Sequence, residues 1–204
     1  MTRHGLPDWE QRYAEPRFAY GTEPNDFLRA VTEVIPPGSV LCLAEGQGRN
    51  AVYLAQRGYE VMAVDQSTMG MQRAQQLAAE RGVSITTQVA DLAHFDLGQQ
   101  CWSGIVSIFA HIDPVSRREL HRRVVHGLKP GGVFVLEAYS PAQLRFGTGG
   151  PKTAELCMNL ADLKQELAGL EFLQGQEIER EVYEGTYHTG RGAVVQVLAR
   201  KNSD

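Results

Sequence analysis

Apolar and polar positions along the chain alternate between two periods. Apolar runs that stop at a polar residue or a glycine, Val40 to Ala44, Tyr59 to Val64, Val83 to Val89, Ser103 to Ala110 and Val133 to Ala138, predict five buried strands. Between them apolar residues recur at helical spacing. Asn50 to Arg57 is expected as a helix closed by Gly58. Met71, Ala74, Leu77 and Ala78 mark another behind a Ser67 cap and before Gly82, and Val115, Leu120, Val124 and Leu128 a third, with Asp113-Pro114 as N-cap and first residue. A shorter helix is expected from Pro24, with Phe27, Leu28, Val31 and Val34 on one face and Pro36-Pro37-Gly38 ending it. Leu160, Leu163, Leu167 and Leu170 mark a last helix capped by Asn159, followed by two strands, 171–183 and 191–201. Alternating strands and helices build a parallel sheet covered on both faces. The expected fold is α/β, a doubly wound, Rossmann-like sheet of seven strands, mostly parallel, with a C-terminal antiparallel hairpin.

Two stretches have no sustained period. Residues 8–22 are rich in aromatics and arginine (Trp9, Arg12, Tyr13, Arg17, Phe18, Tyr20) and suit an arm that covers a sheet edge or closes over a ligand. Residues 140–158 form a loop too long for a plain connection; leaving the fifth strand, it is expected to overhang the site as a substrate loop, with Arg145 and Phe146 as contacts. The 204 residues thus divide into arm and first helix (1–37), cofactor-binding core (38–139), substrate loop (140–158), and last helix with hairpin (159–204), all in one domain.

The first strand runs into Glu45-Gly46-Gln47-Gly48-Arg49-Asn50, a glycine turn opening a helix. Such a turn is expected to aim backbone N–H groups and the positive end of a helix dipole at a ligand. Gly46-x-Gly48-x-x-Ala51 satisfies the dinucleotide fingerprint, and Asp65 follows Gly46 by nineteen residues, where a ribose-binding acid belongs. Glu45 weighs against a pyrophosphate, which a nearby carboxylate repels by on the order of a kcal/mol or more. S-adenosylmethionine (SAM) brings a sulfonium and an ammonium against one carboxylate, and an acid suits it. An NAD(P)-dependent oxidoreductase stands as the alternative, as does a catalytically silent SAM-binding protein.

Glu45-Gly46-x-Gly48, with Asp65 closing the second strand and Asp91 the third, resembles the class I SAM-dependent methyltransferases from about Gly38 to Lys201. The Lys129-Pro130-Gly131-Gly132 turn and the final hairpin fit the same family. Trp9, Arg12, Tyr13 and Tyr20-Gly21-Thr22-Glu23-Pro24-Asn25 resemble the N-terminus of the TehB-like tellurite-resistance methyltransferases, relatives of the thiopurine methyltransferases. The resemblance implies that Asp65 takes the ribose hydroxyls, Gln66 lies against adenine, Asp91 accepts from its amine and Leu92 packs on its face. Glu45, Gly46, Gly48, Asn50 and Phe109 would complete the cofactor site, with Tyr20 in the closing flap. It also implies a small-molecule methyl acceptor, a chalcogen oxyanion (tellurite, selenite) or a thiol. His188 and Arg191 lie where the family handles an oxyanion, with Arg12 and Arg145 as further cations. His111, at the end of the fourth strand, and His188 are the candidates for a general base, should the nucleophile need one.

Bulk properties narrow the partners. The formal charge of −4 gives no general attraction for nucleic acid or an anionic membrane. No apolar run is long enough to span a bilayer, and MTRHGLPDWE is no signal peptide, so a cytoplasmic protein is expected. Cys42, Cys101 and Cys157 lack metal or redox spacing, and the six histidines make no metal motif. Arg117, Arg118, His121, Arg122, Arg123 and His126 crowd one helix and are expected on its solvent side.

Overall fold

The computed structural model describes residues 7–203. The first six residues, part of the stretch read above as no signal peptide, and Asp204 lie outside the described residues. One seven-stranded sheet organises the chain: β1 (Ser39–Leu43), β2 (Glu60–Asp65), β3 (Thr86–Val89), β4 (Trp102–Ile108), β5 (Leu128–Tyr139), β6 (Leu170–Glu184) and β7 (His188–Lys201). Their order is β3-β2-β1-β4-β5-β7-β6, with β1 to β5 parallel and β7 antiparallel to both its neighbours. The order reverses between β1 and β4, and there the carboxyl ends of the strands open a crevice for a ligand.

Successive residues of β1 explain both hydrophobic layers. Val40 and Cys42 face a core with Leu28, Leu54, Met71 and Ala74, while Leu41 and Leu43 face one with Leu120, Val124, Leu163 and Leu167. The helices that supply them are α2 (Asp26–Val31), α3 (Arg49–Gln56), α4 (Thr68–Glu80), α5 (Pro114–Gly127) and α6 (Leu160–Glu166), while α1 (Trp9–Ala14) packs on α4. Their starts follow local chemistry. Ser67 accepts from the Gly70 N–H, Asp113 from Val115 and Ser116 ahead of Pro114, and Asn159 from Asp162. Asn25, not Pro24, caps α2, accepting from the Leu28 N–H at 3.0 Å. No helix among the described residues is long and apolar enough to cross a membrane.

Several boundaries differ from expectation. The arm contains a helix, α1, capped by Asp8. The third strand is only Thr86–Val89, and β4 stops at Ile108 because Phe109 turns to a left-handed φ of 53°. Residues 185–187 suffice for the hairpin turn, so His188 belongs to β7 and is buried. The 140–158 loop folds through two short 3₁₀ turns, Pro141–Arg145 and Ala154–Leu156. It is bolted to β7 by Gln143, whose side-chain carbonyl accepts from the Ala193 N–H at 2.8 Å.

The largest correction concerns α5. Arg117 and His121 do not face solvent; both are buried, whereas Val115 is 69% exposed. The cause is Glu166 on α6. Arg117 Nη2 donates to its Oε1 at 2.7 Å, His121 Nδ1 lies 2.6 Å from its Oε2, and Arg117 Nη1 reaches the Cys157 carbonyl at 3.2 Å. Burial alone would raise the Glu166 carboxyl, but the bonds from His121 and Arg117 outweigh it and hold the group down at about 2. A depressed carboxyl stabilises the fold above the ordinary carboxylate range, and that contribution is lost as pH falls through about 2. Removing one partner strands buried charge. Glu166→Ala should therefore lower unfolding free energy at neutral pH by about 3 to 5 kcal/mol in urea titration; a loss under about 1 kcal/mol would reduce the cluster to a surface-like pair.

Candidate functional site

Glu45 and the two glycines define the turn after β1. Glu45 Oε1 accepts from the N–H groups of Asn50 and Ala51 at 2.9 and 2.8 Å, so the carboxylate sits on the N-terminus of α3. Gly46 N–H donates to Asp65 Oδ2 at 2.8 Å, and Gly48 N–H donates to the Glu45 carbonyl at 3.3 Å. The expectation that these N–H groups point at a ligand is thus corrected: the protein's own acids consume them. Gly46 and Gly48 shape the turn instead of lining the cleft. Gly48 has φ 92°, and a Cβ there would meet the Ala74 Cα at 2.7 Å. Gly46 has φ 61°, and a Cβ would lie 2.7 Å from the Tyr13 hydroxyl.

The crevice has two adjoining lobes that share Trp9, Tyr13, Ala44, Phe109 and His111. The main lobe, about 320 Å³, is lined by Asp65 and Gln66 from the end of β2, Asp91 and Leu92 after β3, His111 after β4, and Leu156 from the 140–158 loop. The second lobe, about 50 Å³, is lined by Tyr20, Glu45, Gln47, Arg49, Asn50 and His188. The structure therefore brings Tyr20, Glu45, Asn50, Asp65, Gln66, Asp91, Leu92, Phe109, His111 and His188 to one crevice. It does not bring Arg191, which is exposed on β7 and paired with Glu179 at 2.7 Å, nor Arg145, 3.6 Å from the same carboxylate. Arg191 is drawn outward because its cross-strand neighbourhood on β6 is acidic.

Burial sets the electrostatics. Desolvation raises the Glu45 carboxyl to about 7, against the pull of the Ala51 N–H, Arg49 and the Asn50 N–H. Asp65 is also raised by burial, while the N–H groups of Ser67, Gly46 and Gln66 oppose the shift. Asp65 Oδ1 accepts from Ser67 N–H at 2.9 Å, so each oxygen keeps a second lone pair for a ribose hydroxyl. His111, half-exposed at its surface yet ringed by protein, is driven by desolvation down to about 3, with His188 adding to the fall. It is neutral at working pH and a weak base.

Sequence reasoning missed Trp9 and Tyr13 as walls of both lobes, and Gln47, Arg49 and Leu156. It also missed Glu184, whose carboxylate pairs with Arg49 at 2.6 Å behind the second lobe. The signal available was Glu137, a lone acid inside the apolar run of β5, which announces a buried polar partner set.

Residues 40–132 match the methyltransferase domain family. A 2-heptyl-1-hydroxyquinolin-4(1H)-one methyltransferase from Mycobacteroides abscessus is 29% identical over 70% of this chain and 64% of its own length. A tRNA 5-carboxymethoxyuridine methyltransferase from Escherichia coli is 30% identical over 56% of this chain and 46% of its own. The chain therefore spans less than two thirds of the length of these curated relatives. TehB from Haemophilus influenzae superposes with a TM-score of 0.70 at 22% identity, over 87% of this chain and 62% of that one. A structure described as converting a disulfide bond into a thioacetal group during echinomycin biosynthesis gives 0.76 at 18% identity, over 96% and 88%. Residues 40–132 thus carry a methyltransferase-family match, on a fold shared with these solved structures.

The crevice fits SAM, the cofactor that the methyltransferase-domain match implies. Glu45 has no ion-pair partner among the described residues, so a ligand cation meets a buried carboxylate held by two backbone N–H groups. Asp65→Ala should weaken SAM binding tenfold or more by calorimetry, since hydrogen bonds to a charged acceptor contribute roughly 1.5 to 3 kcal/mol; unchanged affinity would remove Asp65 from the site.

A second expectation follows from Glu45. Its raised carboxyl stabilises the unliganded fold below the ordinary carboxylate range, and that contribution is lost as pH rises through about 7. A bound cation favours the carboxylate, so SAM affinity should rise between about pH 6 and 8 with release of a proton. The binding enthalpy should accordingly vary with the buffer's ionisation enthalpy. Glu45→Gln should reduce that dependence to what the ligand's own amino group contributes; no difference between the two proteins would contradict the assignment.

Proposed function

We propose that the protein transfers a methyl group from SAM to a small acceptor with a soft nucleophile, a thiol before a chalcogen oxyanion, in the cytoplasm. The observation that carries this reading is the second lobe. It offers about 50 Å³ beside Glu45, walled by the rings of Tyr20, Phe109 and His188. The rings lie close: His188 is 4.5 Å from Tyr20 and 4.7 Å from Phe109, centroid to centroid. Such a wall excludes water and accepts a polarisable atom.

The cofactor supplies a methyl on a positive sulfur that departs as a neutral thioether. The protein's task is then to hold the nucleophile in line at about 3 to 3.5 Å and keep water out. Tyr20, Phe109 and His188 would hold the acceptor, and Glu45, Asn50, Asp65, Gln66, Asp91 and Leu92 the cofactor. His111, too weak a base to be the main proton acceptor, would serve as a neutral wall. With Arg191 and Arg145 turned to Glu179, the cations left near the crevice are Arg49, neutralised by Glu184 at 2.6 Å, and Arg12, which donates to the Tyr20 hydroxyl at 3.3 Å and lies over the Tyr187 ring. That loss of positive charge favours a thiol over an oxyanion.

The test is S-adenosylhomocysteine formation with aliphatic and aromatic thiols, selenite, tellurite, 1-hydroxyquinolones and unmodified tRNA. Turnover of thiols well above the others is expected. Turnover of tRNA alone would overturn the reading of a small acceptor, and SAM binding without any turnover would favour a silent binding protein.

A further inference from the structure

Behind the second lobe lies a buried polar cluster that the cofactor site does not use. Glu184 ends β6 and pairs across the turn with His188, which begins β7. Both are buried. Glu184 is held by Asn25 Nδ2 at 2.8 Å, Arg49 Nη2 at 2.6 Å and Arg180 Nη2 at 3.3 Å. Asn25 and Arg180 are themselves pinned by Glu137, fully buried on β5, which also accepts from Gln196. Three side chains therefore hold this carboxylate directly, and Glu137 and Gln196 brace two of them from behind.

What that carboxylate faces is unfinished. His188 Nδ1 lies 3.7 Å from Glu184 Oε2, too far for a hydrogen bond, and is a buried polar atom with no partner. Its ring is clamped by Tyr20, Phe109 and Tyr139, the last 5.3 Å away and nearly perpendicular. An unpaired buried nitrogen destabilises the fold, and a sub-ångström shift toward Glu184 would make the bond.

We propose that Glu184 is a positioning residue for His188: it accepts a hydrogen bond from the Nδ1–H, so that Nε2 offers its lone pair to the second lobe and accepts a proton from the acceptor. The inference rests on the methyltransferase reading above and names the acceptor class more closely, as a nucleophile that arrives protonated, such as an alkyl thiol. In the step, the acceptor's sulfur forms its bond to the methyl carbon as that carbon's bond to the cofactor's sulfur breaks. The electron pair of the broken bond stays with the cofactor's sulfur, the acceptor's proton passes to Nε2, and the resulting imidazolium faces Glu184. The proton then leaves to solvent. No other reactant is needed.

The remaining charged and titratable groups around His188 are consistent with this assignment. Arg49 and Arg12 disfavour a permanently charged ring, Tyr20 and Tyr139 are raised by burial and stay un-ionised, and burial lowers His111. Burial lowers His188, and the carboxylate of Glu184 opposes that fall. The two histidines thus differ: Glu184 opposes the fall of His188, and no carboxylate among the described residues contributes to that of His111.

The test compares kcat/KM for an aliphatic thiol, protonated at neutral pH, with that for a nitrothiophenol, already ionised. In Glu184→Gln and in His188→Asn, whose amide can still meet Glu184, the ratio of the aliphatic to the ionised acceptor should fall tenfold or more. An unchanged ratio, with both acceptors slowed alike, would leave these residues a structural role only and overturn the proposal. A second readout needs no turnover: the long-range proton–nitrogen spectrum of the wild-type imidazole should show His188 protonated on Nδ1. The Nε2-protonated tautomer in the wild type would overturn the proposal whatever the kinetics. If the wild type methylates neither thiol yet shows the Nδ1 tautomer, the substrate reading fails while the positioning stands. Absence of SAM binding would instead sink the reading on which both depend.

Discussion

A buried carboxylate on the first turn of α3 governs this crevice. In a dinucleotide-binding turn that place belongs to a pyrophosphate, held by free N–H groups and the helix dipole. Here Glu45 accepts from the Asn50 and Ala51 N–H groups, and Asp65 takes the Gly46 N–H. The dipole is satisfied internally, leaving a floor with unspent negative charge. Because Glu45 is desolvated without an ion-pair partner, the unliganded site is electrostatically costly, and a cation is the ligand that relieves it. The preference for a sulfonium over a phosphate therefore follows from which group caps one helix.

The rest of the architecture serves to hold that floor under a roof. The arm crosses the crevice through Trp9, Tyr13 and Tyr20, and Ala19 N–H donates to Gln47 Oε1 at 2.7 Å. Arg49, the residue after Gly48, reaches back to the Tyr20 carbonyl and across to Glu184. Asn25 joins the start of α2 to Asn50 on α3 and to both glutamates of the hairpin side. Arm, glycine turn and terminal hairpin thus share one polar network, and the antiparallel strands act as a wall of the site, not an appendage to the sheet.

Much of this was legible because its causes are local. Ser67, Asp113-Pro114 and Asn159 cap helices by their own side chains, and the acid before Gly46 is adjacent to what it neutralises. Asp65 and Asp91 end strands whose carboxyl ends face the crevice by topology. The misreadings have the opposite origin. Arg117 and His121 looked like a solvated face because nothing near them reveals Glu166, some 45 residues on and on another helix. Arg191 lies close in sequence to His188, but strand alternation and Glu179 send its side chain outward. His188 looked like a turn residue because the hairpin was expected to be looser. Helical periodicity also has no means of showing that α5 keeps its ionic stripe inside and leaves Val115 out.

One titration bears most directly on the charge-based account of the crevice: SAM, S-adenosylhomocysteine and NADH binding to the intact protein by calorimetry at neutral pH. The expected result is micromolar binding of both adenosyl ligands, SAM the tighter at high pH where Glu45 is ionised, and no heat with NADH. Binding of NADH with no affinity for either adenosyl ligand would contradict the account, because a pyrophosphate would then occupy the helix terminus assigned to Glu45.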